Sequence, residues 1–94
     1  MNLPQPIVDS ISDLARQCNL DKVILFGSRA RGDNLERSDI DLAIQGGDTV
    51  AFAASVDEDI PTLLMFDVVD LDKPVQKELL EGIRKDGIVI YEKV

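Results

Sequence analysis

The stretch from Leu25 to Ile44, LFGSRARGDNLERSDIDLAI, limits the folds open to this chain more than any other part of it. An apolar strand ends in Gly27-Ser28, a short basic and polar connection follows, and a second strand opens with two aspartates one residue apart. Side chains on a strand alternate between faces, so Asp39 and Asp41 share one face while Ile40, Leu42 and Ile44 take the other. Two carboxylates side by side repel unless a cation sits between them. The stretch therefore predicts a metal site facing a phosphate-binding turn, carried on a strand whose opposite face is core.

The flanking segments supply the rest of such a sheet. Ile7, Val8, Ile11, Leu14, Ala15 and Cys18 recur at helical spacing, with Pro6 in the first turn and Asn19 as the C-terminal stop. Val23 to Phe26 reads as a short buried strand. Ser28 is placed to cap a short helix over Arg29 to Arg31, ended by Gly32, and a polar loop runs on through Ser38. The second strand covers Ile40 to Gln45, Gly46-Gly47-Asp48 breaks it, and Thr49 to Asp59 forms a helix that Ile60-Pro61 ends. Leu63 to Val69 is a third apolar run, read as a strand buried on both faces with Asp67 as its only charge. A last helix opens at Lys73-Pro74 with the apolar stripe Val75, Leu79, Leu80 and Ile83, and Gly87 separates it from a terminal strand, Ile88 to Tyr91. This order predicts one α/β domain over residues 1–94, with helices covering a small sheet.

Composition narrows the chemistry. At 94 residues the chain suffices for about one small core. Its formal charge of -8 argues against direct binding of nucleic acid, which rests on Lys and Arg neutralising phosphates. A basic partner or a metal-bound ligand suits that charge better, although acidity also serves solubility alone. There is no His, so acid-base and metal chemistry fall to carboxylates, and the single Cys18 allows no internal disulfide. No segment has the apolar length of a membrane span, and no basic segment leads into an apolar run at the N-terminus, so the expected location is cytoplasmic.

Each candidate feature has a plain alternative. Gly27-Ser28 at a strand-to-helix junction suits an anion, yet the same dipeptide serves as an ordinary turn. Asp39 and Asp41 suit Mg²⁺, which shares hard oxygen ligands between carboxylates, waters and phosphates. An isolated pair of this kind also points into water or pairs with Arg29, Arg31 or Arg37. Asp67 shifts the balance, because an ionised carboxylate inside an apolar strand costs several kcal/mol, on the order given for buried ions, unless it is compensated. Its alternatives are a buried ion pair with an arginine or a place at an exposed strand edge. Arg29 and Arg31 are candidates for neutralising phosphate charge, with solvated helix ends or pairing to Asp33 and Glu36 as the alternatives. Asp70 and Asp72 read as solvated loop acids.

Taken together, Gly27-Ser28, Asp39-Ile40-Asp41 ten residues on, and Asp67 on a later strand resemble the DNA polymerase β-type nucleotidyltransferase superfamily, and within it the minimal nucleotidyltransferases of prokaryotes. The resemblance runs directly from Val23 to Val69 and is specific as a combination. It implies a small mixed sheet, two Mg²⁺ ions held by Asp39, Asp41 and Asp67, and ATP as nucleotide donor. Gly27 and Ser28 would hold its β and γ phosphates, and Asp67 would help deprotonate an acceptor hydroxyl. Members this small resemble antitoxins that bind a HEPN-type ribonuclease toxin and transfer AMP to one of its tyrosines, so a hetero-oligomer is implied. Two other functions fit the same residues: an antitoxin that only masks its toxin, and an enzyme modifying a small-molecule hydroxyl.

Overall fold

A computed structural model describes all 94 residues. The elements follow the order α1 (Gln5–Gln17), β1 (Lys22–Phe26), α2 (Gly27–Arg31), β2 (Ile40–Gln45), α3 (Thr49–Asp59), β3 (Phe66–Asp70), α4 (Lys77–Asp86) and β4 (Ile88–Glu92). The four strands form one mixed sheet in the order β3-β2-β1-β4. β1 is antiparallel to both β2 and β4, whereas β2 and β3 run parallel, joined through α3 as the crossover that parallel neighbours require.

The period-two pattern of the strands divides the molecule into two unequal layers. Val23 and Leu25 of β1 with Ile40, Leu42 and Ile44 of β2 face α1 and α3, and join Ile11, Leu14, Leu20, Phe52 and Val56 in the main core. Most of these side chains are completely shielded, and at about 25 cal/mol per Å² of apolar surface they carry most of the hydrophobic stabilisation. The opposite face carries a much thinner cluster of Phe26, Ala43 and Ile83, with Ile24, Val69 and Leu71 at its margin. No helix is long and apolar enough to cross a membrane.

Helix α1 carries Pro in its first turn and ends where Asn19 adopts a left-handed conformation, φ 57°, as its sequence predicts. Cys18 caps that helix and packs against the core, and burial, followed by the charges of Asp48 and Asp59, pushes its thiol pKa up. Two expected elements differ. The run Leu63 to Val69 is not a strand buried on both faces: β3 starts only at Phe66 and lies at the sheet edge, with Leu63 and Met65 exposed. Apolar composition suits a central strand, but only one of β3's long edges has a neighbour. The last helix begins at Lys77, not at Lys73-Pro74, and of its stripe only Ile83 is buried. Residues 71–73 instead form a turn: Asp70, which ends β3 and is not the solvated loop acid expected, accepts from the Asp72 amide, and Asp72 accepts from that of Gly46.

Candidate active site

The candidate site lies where β1 ends and β2 and β3 begin. In the antiparallel pair Phe26 stands opposite Asp41, and in the parallel pair Asp41 stands opposite Asp67. Adjacent strands are ~4.8 Å apart, and register partners point to the same face, so the end of β1, Asp41 and Asp67 form a row across three strands. The face is the thinly covered one, which α2 and α4 flank. Asp39 sits in the loop immediately before β2 and is exposed, so it reaches this rim from the loop and not from within the strand.

The carboxylates sense one another. Asp41 is half-buried, and its pKa is raised first by desolvation, then by the charges of Asp67 and Asp39, with Arg31 acting weakly in the opposite direction. None of the three forms an ion pair with an arginine or lysine. Asp67 is exposed at the sheet edge, the alternative left open for it, so burial in an apolar strand is not what sets it apart. It is the pairing register that brings it beside Asp41, because a parallel neighbour places Asp67 on the same face at the same height.

Gly27 explains why the turn has glycine. Its φ of 74° is left-handed, and a Cβ there would overlap Asp41 Oδ2 and come within 3.1 Å of Asp41 Cγ. The backbone of the Gly-Ser turn is thus laid directly against the Asp41 carboxylate, a closeness that any side chain would prevent. Ser28 lies inside α2 and does not cap it: the N-cap is Phe26, with no side-chain cap bond. Gly32, at φ 86°, closes the helix in the left-handed conformation expected of it.

The two arginines divide. Arg29, expected at the phosphates, is only 4 % exposed and turned inward. Its Nε donates to the Ser38 carbonyl at 3.0 Å, Nη2 to that of Glu36 at 3.0 Å and Nη1 to that of Asn2 at 3.2 Å. It therefore anchors the loop leading into Asp39 and is a positioning residue, since a guanidinium spent on three carbonyls is withdrawn from a ligand. Arg31 remains accessible. Its Nε donates to Asp33 at 3.1 Å and its Nη1 to Asp86 of α4 at 3.0 Å, bonds that raise its pKa further and hold it within electrostatic reach of Asp41. Asp33 was legible as a partner from the sequence; Asp86, 55 residues away, had no local signal.

The donor set fits a hard divalent cation in kind, being all carboxylate oxygen with no competing side-chain cation. It is not closed in this conformation, for no group of three or more His, Cys, Asp or Glu side chains is gathered tightly enough to hold an ion. Asp39 and Asp67 are exposed, so neither side chain is fixed by core packing.

The family described as Polymerase beta, Nucleotidyltransferase matches residues 9–94. No curated protein matches the chain by sequence. Among solved structures, the fold aligns with a toxin-antitoxin with AMP-PNP at 24% identity and a TM-score of 0.64, over 92% of this chain and 73% of that one. It also aligns with two mutants of the toxin-antitoxin MntA-HpeT. One carries a tyrosine-to-alanine change (24% identity, TM-score 0.70, 98% of this chain and 75% of that one), the other two aspartate-to-glutamate changes (22%, 0.65, 92% and 73%). At these identities the likeness is one of fold, and that fold is the mixed-sheet nucleotidyltransferase fold.

Proposed function

Because the chain belongs to the polymerase β-type nucleotidyltransferase family, we propose that it is a protein adenylyltransferase acting as an antitoxin: it transfers AMP from ATP to a tyrosine hydroxyl of a partner HEPN-type toxin. The observation that carries this reading is the row formed by the Gly-Ser turn, Asp41 and Asp67, three neighbours on one face with acids that have no protein cation to neutralise them. The AMP-PNP in a relative of the same fold, and that relative's being a toxin-antitoxin, support it from outside the chain.

In this reading the backbone at Gly27 and the Ser28 hydroxyl bind the β and γ phosphates beside the Asp41 carboxylate, which the missing Cβ lets lie against the turn. Arg31 exchanges its exposed ion pairs for the charge that develops on the transferring phosphoryl group. Asp39, Asp41 and Asp67 would hold Mg²⁺, which when bound supplies positive charge to the triphosphate and lowers the pKa of the attacking hydroxyl. Asp67 accepts the hydroxyl proton, the oxygen attacks the α-phosphorus, and pyrophosphate leaves toward Gly27-Ser28. Arg29 orients Asp39 by fixing its loop.

The open carboxylate set is the one observation favouring a second reading, an antitoxin that masks its toxin without chemistry. Incubation with MgATP and the protein encoded beside this one, followed by intact mass measurement, separates the two. Transfer adds mass in multiples of AMP to the partner and disappears in the Asp39→Ala/Asp41→Ala variant. An unchanged partner mass, with partner activity still inhibited, would establish masking instead.

A further inference from the structure

The reading above fixes a direction across the sheet. Pyrophosphate leaves toward the end of β1, and in-line displacement requires the attacking oxygen to arrive from the opposite side of the α-phosphorus. From β1 through Asp41 that direction leads to Asp67 on β3, and β3 is the edge strand, so the next thing beyond it is solvent. Off the N-terminal ends of β2 and β3, two residues before Asp39 and two before Asp67, the protein has a cavity of about 420 Å³ lined by Glu36, Arg37, Leu63, Leu64 and Met65. None of the three carboxylates lines it, but the chain brings them near: the Ile40 amide donates to the Met65 carbonyl at 2.9 Å, joining the start of β2, next to Asp39, to the residue two before Asp67.

Of the apolar side chains here, Leu63 and Met65 have no structural reason to be apolar, whereas Leu64 does. Leu64, Phe66 and Val68 pack against the main core, and by alternation Met65 falls on the same face as Asp67. Leu63 is 102% exposed and Met65 62%. Two large apolar side chains held in water beside three carboxylates serve binding better than folding, and methionine adapts readily to varied partner surfaces. Glu36 and Arg37 make no ion pairs, and Glu36 adds to the acids of Asp39 and Asp67 on the same rim.

We infer that Leu63, Leu64 and Met65, with Glu36 and Arg37, form the docking surface for the acceptor: a polypeptide segment of the partner that carries the acceptor hydroxyl next to an apolar side chain and is basic around it. The apolar side chain fills the cavity, and charge complementarity to the acidic rim and to a chain of net charge -8 draws the segment in. The inference rests on the adenylyltransferase reading, and a nucleobase in the same cavity is the alternative that the test separates from it.

The test compares the unsubstituted chain, a Leu63→Gln/Met65→Gln double variant and a Val50→Gln control, whose residue is also exposed but lies on α3. MgATP binding to each chain alone is measured by calorimetry, and transfer to the protein encoded beside it by mass spectrometry over a range of partner concentrations. The expected result for the double variant is an acceptor KM raised at least about tenfold, the effect of losing one good interface anchor, with kcat and MgATP affinity unchanged. The control matches the unsubstituted chain. An unchanged acceptor KM overturns the inference, and weakened MgATP binding overturns it in favour of the nucleobase. If the unsubstituted chain neither binds MgATP nor modifies the partner, the adenylyltransferase reading itself fails.

Discussion

Replacing Gly27 by alanine probes the geometry on which the whole site depends. The backbone at residue 27 has φ 74°, and for a residue with a side chain a left-handed conformation costs about 1–2 kcal/mol. The new Cβ would also overlap Asp41 Oδ2 and lie 3.1 Å from Cγ, so the Asp41 side chain must leave its rotamer at a cost of about 0.5–1.5 kcal/mol. Alanine stiffens the unfolded chain, which offsets about 0.4–1 kcal/mol. The net loss is then about 2 kcal/mol, or a fall in Tm of roughly 10 °C for a chain of this size. Only the collision depends on Asp41, so a double-mutant cycle isolates it: in an Asp41→Ala background the Gly27→Ala cost drops by about 1 kcal/mol. Urea denaturation of the four chains measures each term. A Gly27→Ala chain within about 0.5 kcal/mol of the unsubstituted one, or an equal cost in both backgrounds, would refute the close approach of turn and carboxylate.

Other outcomes follow from the same site. Asp41 has its pKa raised in the folded chain, so between the ordinary aspartate value and the raised one the folded state holds more protons, and stability falls as pH rises through that window. Asp41→Asn is therefore expected to melt higher than the unsubstituted chain at neutral pH and alike at low pH, which thermal scans across pH will check; an Asp41→Asn chain that melts lower at neutral pH contradicts the repulsion. Arg29→Ala removes a buried guanidinium from three carbonyls and is expected to cost about 3 kcal/mol, on the scale of charged hydrogen bonds left unpaired. Arg31→Ala breaks bonds to the exposed Asp33 and the partly covered Asp86, so it lowers the melting temperature less than Arg29→Ala does and weakens nucleotide binding. Equal melting temperatures for the two arginine variants would show that Arg29 is no anchor.

Local signals were sufficient for much of this protein. The order of the eight elements is legible in helical spacing, apolar runs and Gly or Pro stops, because each is a property of adjacent residues, although β3 and α4 start later than these signals indicate. The Gly-Ser turn, the Asp39-Ile40-Asp41 unit and the stops at Asn19 and Gly32 were legible for the same reason. Errors arose where a residue's role is set by what the rest of the chain puts beside it. Leu63 to Val69 has the composition of a central strand, but exposure depends on whether a neighbour exists on each side, and β3 has only one. The apolar run around Asp67 points to a burial that Asp67 does not have; parallel pairing with β2 is what places it at Asp41. Arg29 and Arg31, two residues apart with the same chemistry, part company because α2 turns one toward the carbonyls of Asn2, Glu36 and Ser38 and the other toward Asp33 and Asp86. The amino-acid sequence by itself thus determined which groups are present and which strands and helices carry them. Only the tertiary structure decided which of those groups face one another, because strand order and register join residues that no spacing along the chain connects.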